Sequence, residues 1–413
     1  MSSRVGHRVA RLFDMANRLG WWPTLRWAVR RVLKGPNKSA SIDVLGHYAF
    51  VIPSEIPASS GEVVPKTLNW FVPDFNIGSG GHLNIFRTIW YLEQKGYTSH
   101  VVIVRPQQHQ DVYAAEKEIR EHFFPLKASV VLGLAGLPPC EFAVATGWDT
   151  AYAVRDFTGA THKVYFVQDY EPWFYSVGSE SLLAENTYRL GLYGITAGGW
   201  LASKLSREFG MHTRSVGFGV EGERYKRLPR RESDVKRVFF YSRPPTARRA
   251  FELGLLVLNL VWQQYPHTQF ILAGWDTGSY RIPFPHLACG TVSLEELPDL
   301  YSQCDVALVL SLTNLSLLPL ELMACGCTVV SNRGPNVEWL IDNDVAALSE
   351  ATPEALAHAI GELLADEERR KSLSRRGEEF ARKFTWDTVA DEFEAGLLDV
   401  RRQSTVRDAA CVA

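Results

Sequence analysis

Cysteine is scarce in this chain, with 6 among 413 residues, and methionine scarcer at 4. The cysteines (Cys140, Cys289, Cys304, Cys325, Cys327 and Cys411) form no Cys-x-x-Cys pair. That spacing excludes a zinc-ribbon framework, and the length excludes a small disulfide scaffold. Cys325-Gly326-Cys327 has no second pair to complete a ligand set, so the expectation is free, buried thiols in a reducing, cytoplasmic setting. Long apolar runs are missing too. The best, Leu253 to Trp262, contains Asn259 and is far short of the roughly 18 residues that span a bilayer. Arg and Asp interrupt the first residues, which removes the apolar centre of a signal peptide. Charge of one sign is not in excess: the formal net charge is -2, which excludes a globally basic nucleic-acid binder.

The small net charge hides an asymmetry. Residues 1–40 carry nine Arg or Lys against Asp14 alone, leaving the rest of the chain acidic. Trp21, Trp22, Trp27, Leu25, Val29 and Val32 are interleaved with those cations. Two readings fit the pattern: a helix lying peripherally on an anionic membrane surface, or a packing helix with a solvated basic face. An apolar fraction of 46% and the length then allow two full cores.

Beyond a Pro/Ser/Gly-rich connector at 36–66, short apolar strands alternate with helical stretches. Strands are expected at 68–73, 100–104, 142–146, 163–168 and 194–197, then at 237–241, 269–273, 305–310 and 328–331. Such alternation argues for parallel sheets covered on both faces. The expected organisation is a basic extension and connector (1–66), a first Rossmann-like domain (67–225), a second (226–385), and a C-terminal helix with tail packing back on the first (386–413). Ligands of such sheets bind at the carboxyl ends of the strands.

Four clusters fall at expected strand ends. Gly78-Ser79-Gly80-Gly81-His82 opens a helix, where glycine lets backbone amides approach an anion; the alternative is a tight strand-to-helix turn. Gln168-Asp169-Tyr170-Glu171-Pro172-Trp173-Phe174 combines two carboxylates with aromatics, the makings of a polyol or acid–base site; the alternative is a helix cap over core aromatics. In Tyr241-Ser242-Arg243-Pro244-Pro245-Thr246-Ala247-Arg248-Arg249 the guanidinium groups suit a diphosphate. Finally, the amides of Asn314, Leu315 and Ser316 stand before a helix holding Glu321 among apolar residues. A lone carboxylate there needs a dedicated donor, either a sugar hydroxyl or a neighbouring arginine.

The ordered series from Arg237 to about Leu397 resembles the C-terminal domain of retaining GT-B glycosyltransferases of family 4. It comprises the arginine-bearing strand end, LPDLYSQCDVALVLS, PLELMACGCTVVSN, a Pro-Asn-x-Glu turn and FTWDTVADEF. The first half, with GSGGH, YFVQDYEPWF and ITAGGWLASKL, resembles WsaF-type rhamnosyltransferases of bacterial surface-glycan assembly. The resemblance implies that Glu321 binds the nucleotide ribose, and that Arg243 with Arg248 or Arg249 holds the donor diphosphate near Gly80 and Gly81. An acid is implied at position 313, where this chain has Thr313, and a His-Asp element where it has Gln168-Asp169.

The resulting expectation is a cytoplasmic enzyme moving a sugar, L-rhamnose from dTDP-L-rhamnose, to a glycan or lipid-linked glycan acceptor, with retention and without a metal or other cofactor. Asp169, Glu171 and His82 are the expected catalytic side chains, and Tyr170 and Trp173 the expected stacking platforms. Other expectations on the same layout are a glycosyltransferase using UDP-, GDP- or ADP-sugars, a nucleotide-sugar epimerase, and a non-catalytic glycan-binding scaffold.

Overall fold

The computed structural model describes residues 43–231 and 233–412, with side chains to 403. The expected basic helix of residues 1–40 lies outside the described residues. From residue 50 onward the chain forms one compact unit containing two parallel sheets.

The first sheet uses β1 (Thr67–Val72), β2 (Thr98–Ile103), β3 (Ser129–Leu132), β4 (Cys140–Ala145), β5 (Ala160–Val167), β6 (Tyr193–Ala197) and β7 (Thr213–Val216) in the order β3-β2-β1-β4-β5-β6-β7. The second uses β8 (Arg237–Tyr241), β9 (Gln269–Ala273), β10 (His286–Gly290), β11 (Val306–Val309), β12 (Thr328–Asn332) and β13 (Ala347–Ser349) in the order β10-β9-β8-β11-β12-β13. Every ladder is parallel. The order reverses beside β1 in one sheet and beside β8 in the other, which opens a crevice at each set of carboxyl ends.

The central strands β1, β4, β11 and β12 are buried along their whole length, matching the continuous apolar runs that marked them. The four strands absent from the sequence expectation are β3, β7, β10 and β13, the four sheet edges. Edge strands face solvent on one side and need no apolar run; β10 has no fully buried residue and β7 has one.

Helix α1 (Gly80–Gln94) follows β1, and Ser79 precedes it. The segment after β8 does not enter its helix directly. Ala247–Arg249 form a single 3₁₀ turn, Ala250 adopts a left-handed conformation (φ 48°), and helix α2 runs over Phe251–Gln264. A short helix at Leu318–Ala324 carries Glu321. The final helix, α3 (Trp386–Val412), returns to the first sheet, where Phe393 packs between Trp70 and Phe166 at ring separations of 5.5 and 5.2 Å. Arg401 forks onto Glu141 there, its Nη2 at 2.6 Å from Oε2. No helix among the described residues is long and apolar enough to cross a membrane.

Candidate functional site

At the end of β8, Arg243, Arg248 and Arg249 converge closely enough that their charges repel one another. Burial is the largest influence on Arg248 and Arg249 and lowers both below the ordinary guanidinium value, against the pull of Asp169. Arg243 donates from Nη1 to the Tyr241 hydroxyl (3.1 Å), and Arg249 from Nη1 to Ser311 Oγ (2.8 Å). Arg248 stacks on Phe174, 3.9 Å from the ring centroid, with Nε 3.4 Å from Asp169 Oδ2. The buried Nε atoms of Arg243 and Arg248 make no hydrogen bond. Arg248 and Arg249 thus share the Asp169 carboxylate, and Arg243 and Arg248 each keep a dry donor without an acceptor. Such a cluster calls for an anion.

Glu321, on the short helix Leu318–Ala324, has the donor its isolation demanded. Burial pushes its carboxyl up to about 7, opposed by Arg87, the Tyr225 hydroxyl bonded to it, and Arg224. Arg87, from α1, pairs with Glu221 and lies over the Trp386 ring at 4.2 Å; Arg224 pairs with Glu221 at 2.8 Å. Arg87, Glu221, Tyr225 and Trp386 form a network beside Glu321 that the sequence reading did not single out. They come from separate segments, and only the fold places them together.

Gly80 and Gly81 are exposed at the head of α1, and a side chain at Gly80 would meet nothing within 4 Å. The preceding turn needs Gly78, whose φ is 84°. His82 differs from its expected role. Its Nδ1 meets Ser79 Oγ at 2.8 Å and its Nε2 meets the Pro73 carbonyl at 3.2 Å. The carbonyl can only accept, so Nε2 carries the proton and Nδ1 takes the Ser79 hydroxyl. Burial lowers its pKa, and the ring serves as a neutral brace for the glycine turn with no nitrogen free for proton transfer.

The loop after β5 departs further from expectation. Glu171 is buried, accepting the Trp148 N–H at 2.8 Å and the Tyr165 hydroxyl at 2.6 Å. Burial drives its carboxyl up to about 8. It ties the loop to the end of β4 and does not face a ligand space. Tyr170 is likewise in the core, packed against Tyr188 and Phe209, and offers no platform. Trp173 is different: half its surface is open, with Lys204 5.1 Å over the ring. Short-range spacing could not separate these neighbours, because which side of an irregular loop is buried depends on what packs over it.

The amides of Asn314, Leu315 and Ser316 were expected to be open to a ligand. Instead the Asn314 N–H donates to Asp169 Oδ1 (2.8 Å) and the Leu315 N–H to the Asn336 carbonyl (3.1 Å). Ser316 is half-buried, and the helix beyond has only seven residues. Asn314 Nδ2 donates to the carbonyls of Gln168 (3.1 Å) and Ala197 (2.7 Å), while its Oδ1 accepts the Trp339 indole N–H (3.0 Å). Asp169, Thr313 and Asn314 therefore join the two sheets' strand ends, and the anion-facing groups that remain are the arginines. Among the described residues, no group of three or more His, Cys, Asp or Glu side chains is placed to hold a metal ion.

Two family descriptions match this chain: "WsaF, C-terminal domain" over residues 236–361 and "WsaF, N-terminal domain" over residues 136–197. The arginine cluster, Ser311 and Glu321 fall in the first match, and Asp169 in the second. The chain has a GT-B fold and resembles WsaF. The WsaF-like chain is 34% identical over 365 residues to the O-antigen biosynthesis protein RfbC of Myxococcus xanthus, a match covering 84% of this chain and 28% of RfbC. It thus spans little more than a quarter of that relative's length. A D-inositol 3-phosphate glycosyltransferase of Salinispora tropica is 36% identical over 110 residues, 26% of this chain and 22% of the relative. Among solved structures, sucrose-phosphate synthase of Thermosynechococcus elongatus superimposes with a TM-score of 0.62 at 15% identity, covering 83% of this chain and 99% of that one. HepE of Anabaena, solved with UDP and glucose, gives a TM-score of 0.62 at 15% identity, with coverages of 81% and 99%.

Proposed function

We propose that this chain is a glycosyltransferase that moves a sugar from a nucleoside-diphosphate donor to a growing surface glycan, with L-rhamnose from dTDP-L-rhamnose as the donor of choice. The observation that carries the reading is the arginine cluster at the end of β8, with two buried guanidinium nitrogens lacking an acceptor. A diphosphate supplies acceptors and charge together. Arg243, Arg248 and Arg249 would hold it, the Gly80–Gly81 turn would approach it from α1, and Glu321 with Tyr225 would take the ribose hydroxyls. The match to an O-antigen biosynthesis protein supports a glycan or lipid-linked glycan acceptor.

In the proposed reaction the bond between the anomeric carbon and the diphosphate oxygen breaks, and the acceptor oxygen bonds to that carbon on the same face. The acceptor proton passes to the departing phosphate oxygen. The guanidinium groups stabilise the negative charge that develops on the diphosphate, so no metal is required of the step. Glu171, His82 and Tyr170 act through the scaffold: they keep the loops after β5 and β1 in place. Trp173, half open, is the aromatic surface available to an acceptor sugar.

Thermal unfolding with dTDP, UDP, GDP and ADP, each with and without EDTA, tests the reading. A ligand bound only by the folded state adds about 2.7 kcal/mol at 100 times its dissociation constant. A shift selective for dTDP and indifferent to EDTA is the expected outcome. A shift with another nucleotide changes the donor, an EDTA-sensitive shift removes the metal-free step, and no shift with any favours a glycan-binding scaffold.

A further inference from the structure

The chain passes between the two sheets twice, once from β7 to β8 through residues 217–236 and once where it enters α3 at Trp386. The two crossings touch. The Val220 N–H donates to the Phe384 carbonyl at 3.1 Å, and a Cβ on Gly219 would fall 2.7 Å from the Trp386 backbone nitrogen. Arg87 of α1 reaches both. Its Nη2 pairs with Glu221 on the first crossing, and its guanidinium lies 4.2 Å over the Trp386 ring at the second and 5.2 Å over that of Phe124. Nη1 donates to Asn84 Oδ1 at 3.2 Å, Nε has no acceptor, and the side chain is 4% exposed. Aromatic rings replace only part of a guanidinium's hydration, so this buried cation depends on Glu221 for its countercharge. Arg87 also acts on the second domain: burial pushes the Glu321 carboxyl up, and Arg87 is first among the groups that favour its charged form.

The strand-end loops that these crossings carry are joined where Asp169 accepts the Thr313 hydroxyl at 2.9 Å and the Asn314 amide at 2.8 Å. Irregular crossings of this kind are the segments that bend when two domains close on a ligand. We propose that Arg87 is the positioning residue of the hinge: it clasps both crossings to α1 and so sets the separation of the two strand ends between which the donor is bound. Gly80 and Gly81 lie about 10 Å from Arg87 along the axis of the same helix. The diphosphate proposed to meet that glycine turn and the clasp at Arg87 therefore act on one rigid element. The inference rests on the donor reading given above and adds to it a residue that touches no part of the ligand.

Small-angle scattering of the full chain reads the closure, and calorimetric titration reads affinity for dTDP, or for whichever of UDP, GDP and ADP the unaltered chain binds. Arg87→Met removes the charge but keeps a flexible apolar side chain against Trp386 and Phe124. Its radius of gyration should rise, and its nucleotide affinity should fall about fivefold or more. Glu221→Gln, which leaves Arg87 without its countercharge, should do the same. The double variant should bind no more weakly than the weaker single one, as two ends of one contact require. Val101→Ala thins the first core on β2 and belongs to neither crossing. It should leave the radius unchanged and the affinity within about twofold, which separates the clasp from a general loss of stability. Unchanged radius and affinity in Arg87→Met, a fall in affinity at constant radius, additive losses in the double variant, or equal losses in Val101→Ala each overturn the proposal. Should Arg87→Met fail to fold, Glu221→Gln decides, and unchanged values there overturn it. If the unaltered chain binds none of the four nucleotides, the donor reading falls and the radius of gyration still judges Arg87. Nucleotide binding that ignores both variants removes Arg87 and leaves the donor reading standing.

Discussion

Glu171 illustrates what burial does to a carboxyl group that carries no ligand. Its value in the unfolded chain is near 4.5, and the fold raises it to about 8. The native state thus keeps a proton that the unfolded chain releases between those limits, so this residue's contribution to stability declines as pH rises from about 4.5 to about 8. Glu171→Gln keeps the shape, with the amide donating to the Tyr165 oxygen, and cannot ionise. Unfolding temperatures measured from pH 5 to 8 should fall less steeply in this variant than in the unaltered chain; parallel curves would contradict the assignment. Glu321, raised to about 7, adds to the same slope. Glu321→Ala should weaken dTDP binding, and Arg243→Ala should weaken it about tenfold or more with a matching loss of turnover. Unchanged titrations for both variants would remove these two residues from the donor site. Neighbouring residues of one type divide sharply at this scale: Asp169 holds the opposite loop, while Glu171, two positions on, is sealed beneath it.

The loops at the strand ends act as elements of a joint. Asn314 contributes one backbone and three side-chain hydrogen bonds, reaching Asp169, Gln168 and Ala197 of the first sheet and Trp339 of the second. Asn314→Ala takes this donor from the Gln168 and Ala197 carbonyls, while the Trp339 indole N–H keeps the Asn336 carbonyl at 3.1 Å; the cost is about 1–3 kcal/mol for each group left unsatisfied. Denaturant unfolding should register the loss, and small-angle scattering should report a larger radius of gyration as the strand ends separate. No change in either would mean that the joint is held elsewhere. Gly198 belongs to the same joint, since its φ is 92° and a Cβ would fall 2.5 Å from the Trp339 ring. The interrupted helix after β8 has a comparable effect: the left-handed Ala250 sets the Arg248–Arg249 turn apart from the axis of α2.

For the whole molecule, α3 joins α1 in covering one face of the first sheet. Phe393 and Leu397 are fully buried in that core, and the Gly217 N–H donates to Glu392 Oε2 at 2.6 Å. Phe393→Ala should destabilise the chain by about 3–5 kcal/mol, the usual cost of emptying an aromatic site. Ending the chain at residue 385 would expose Trp70 and Phe166, and the expected product is an aggregating protein in sedimentation. A soluble, cooperatively folding truncation would show that the first sheet needs no such cover.

Composition and periodicity alone marked out nine of the thirteen strands, because a parallel strand buried on both faces must be apolar throughout. The four that escaped are the sheet edges, where solvent relaxes that demand. Arg243, Arg248, Arg249 and Glu321 were legible for a related reason: charged residues at strand ends or in an apolar helix are conspicuous against their neighbours. The tertiary structure alone decided which loop residues turn inward. It buried Glu171 and Tyr170, engaged both nitrogens of His82, and closed the Asn314 and Leu315 amides on partners 21 to 145 residues away. Such choices depend on contacts between distant segments, for which local sequence carries no period and no spacing.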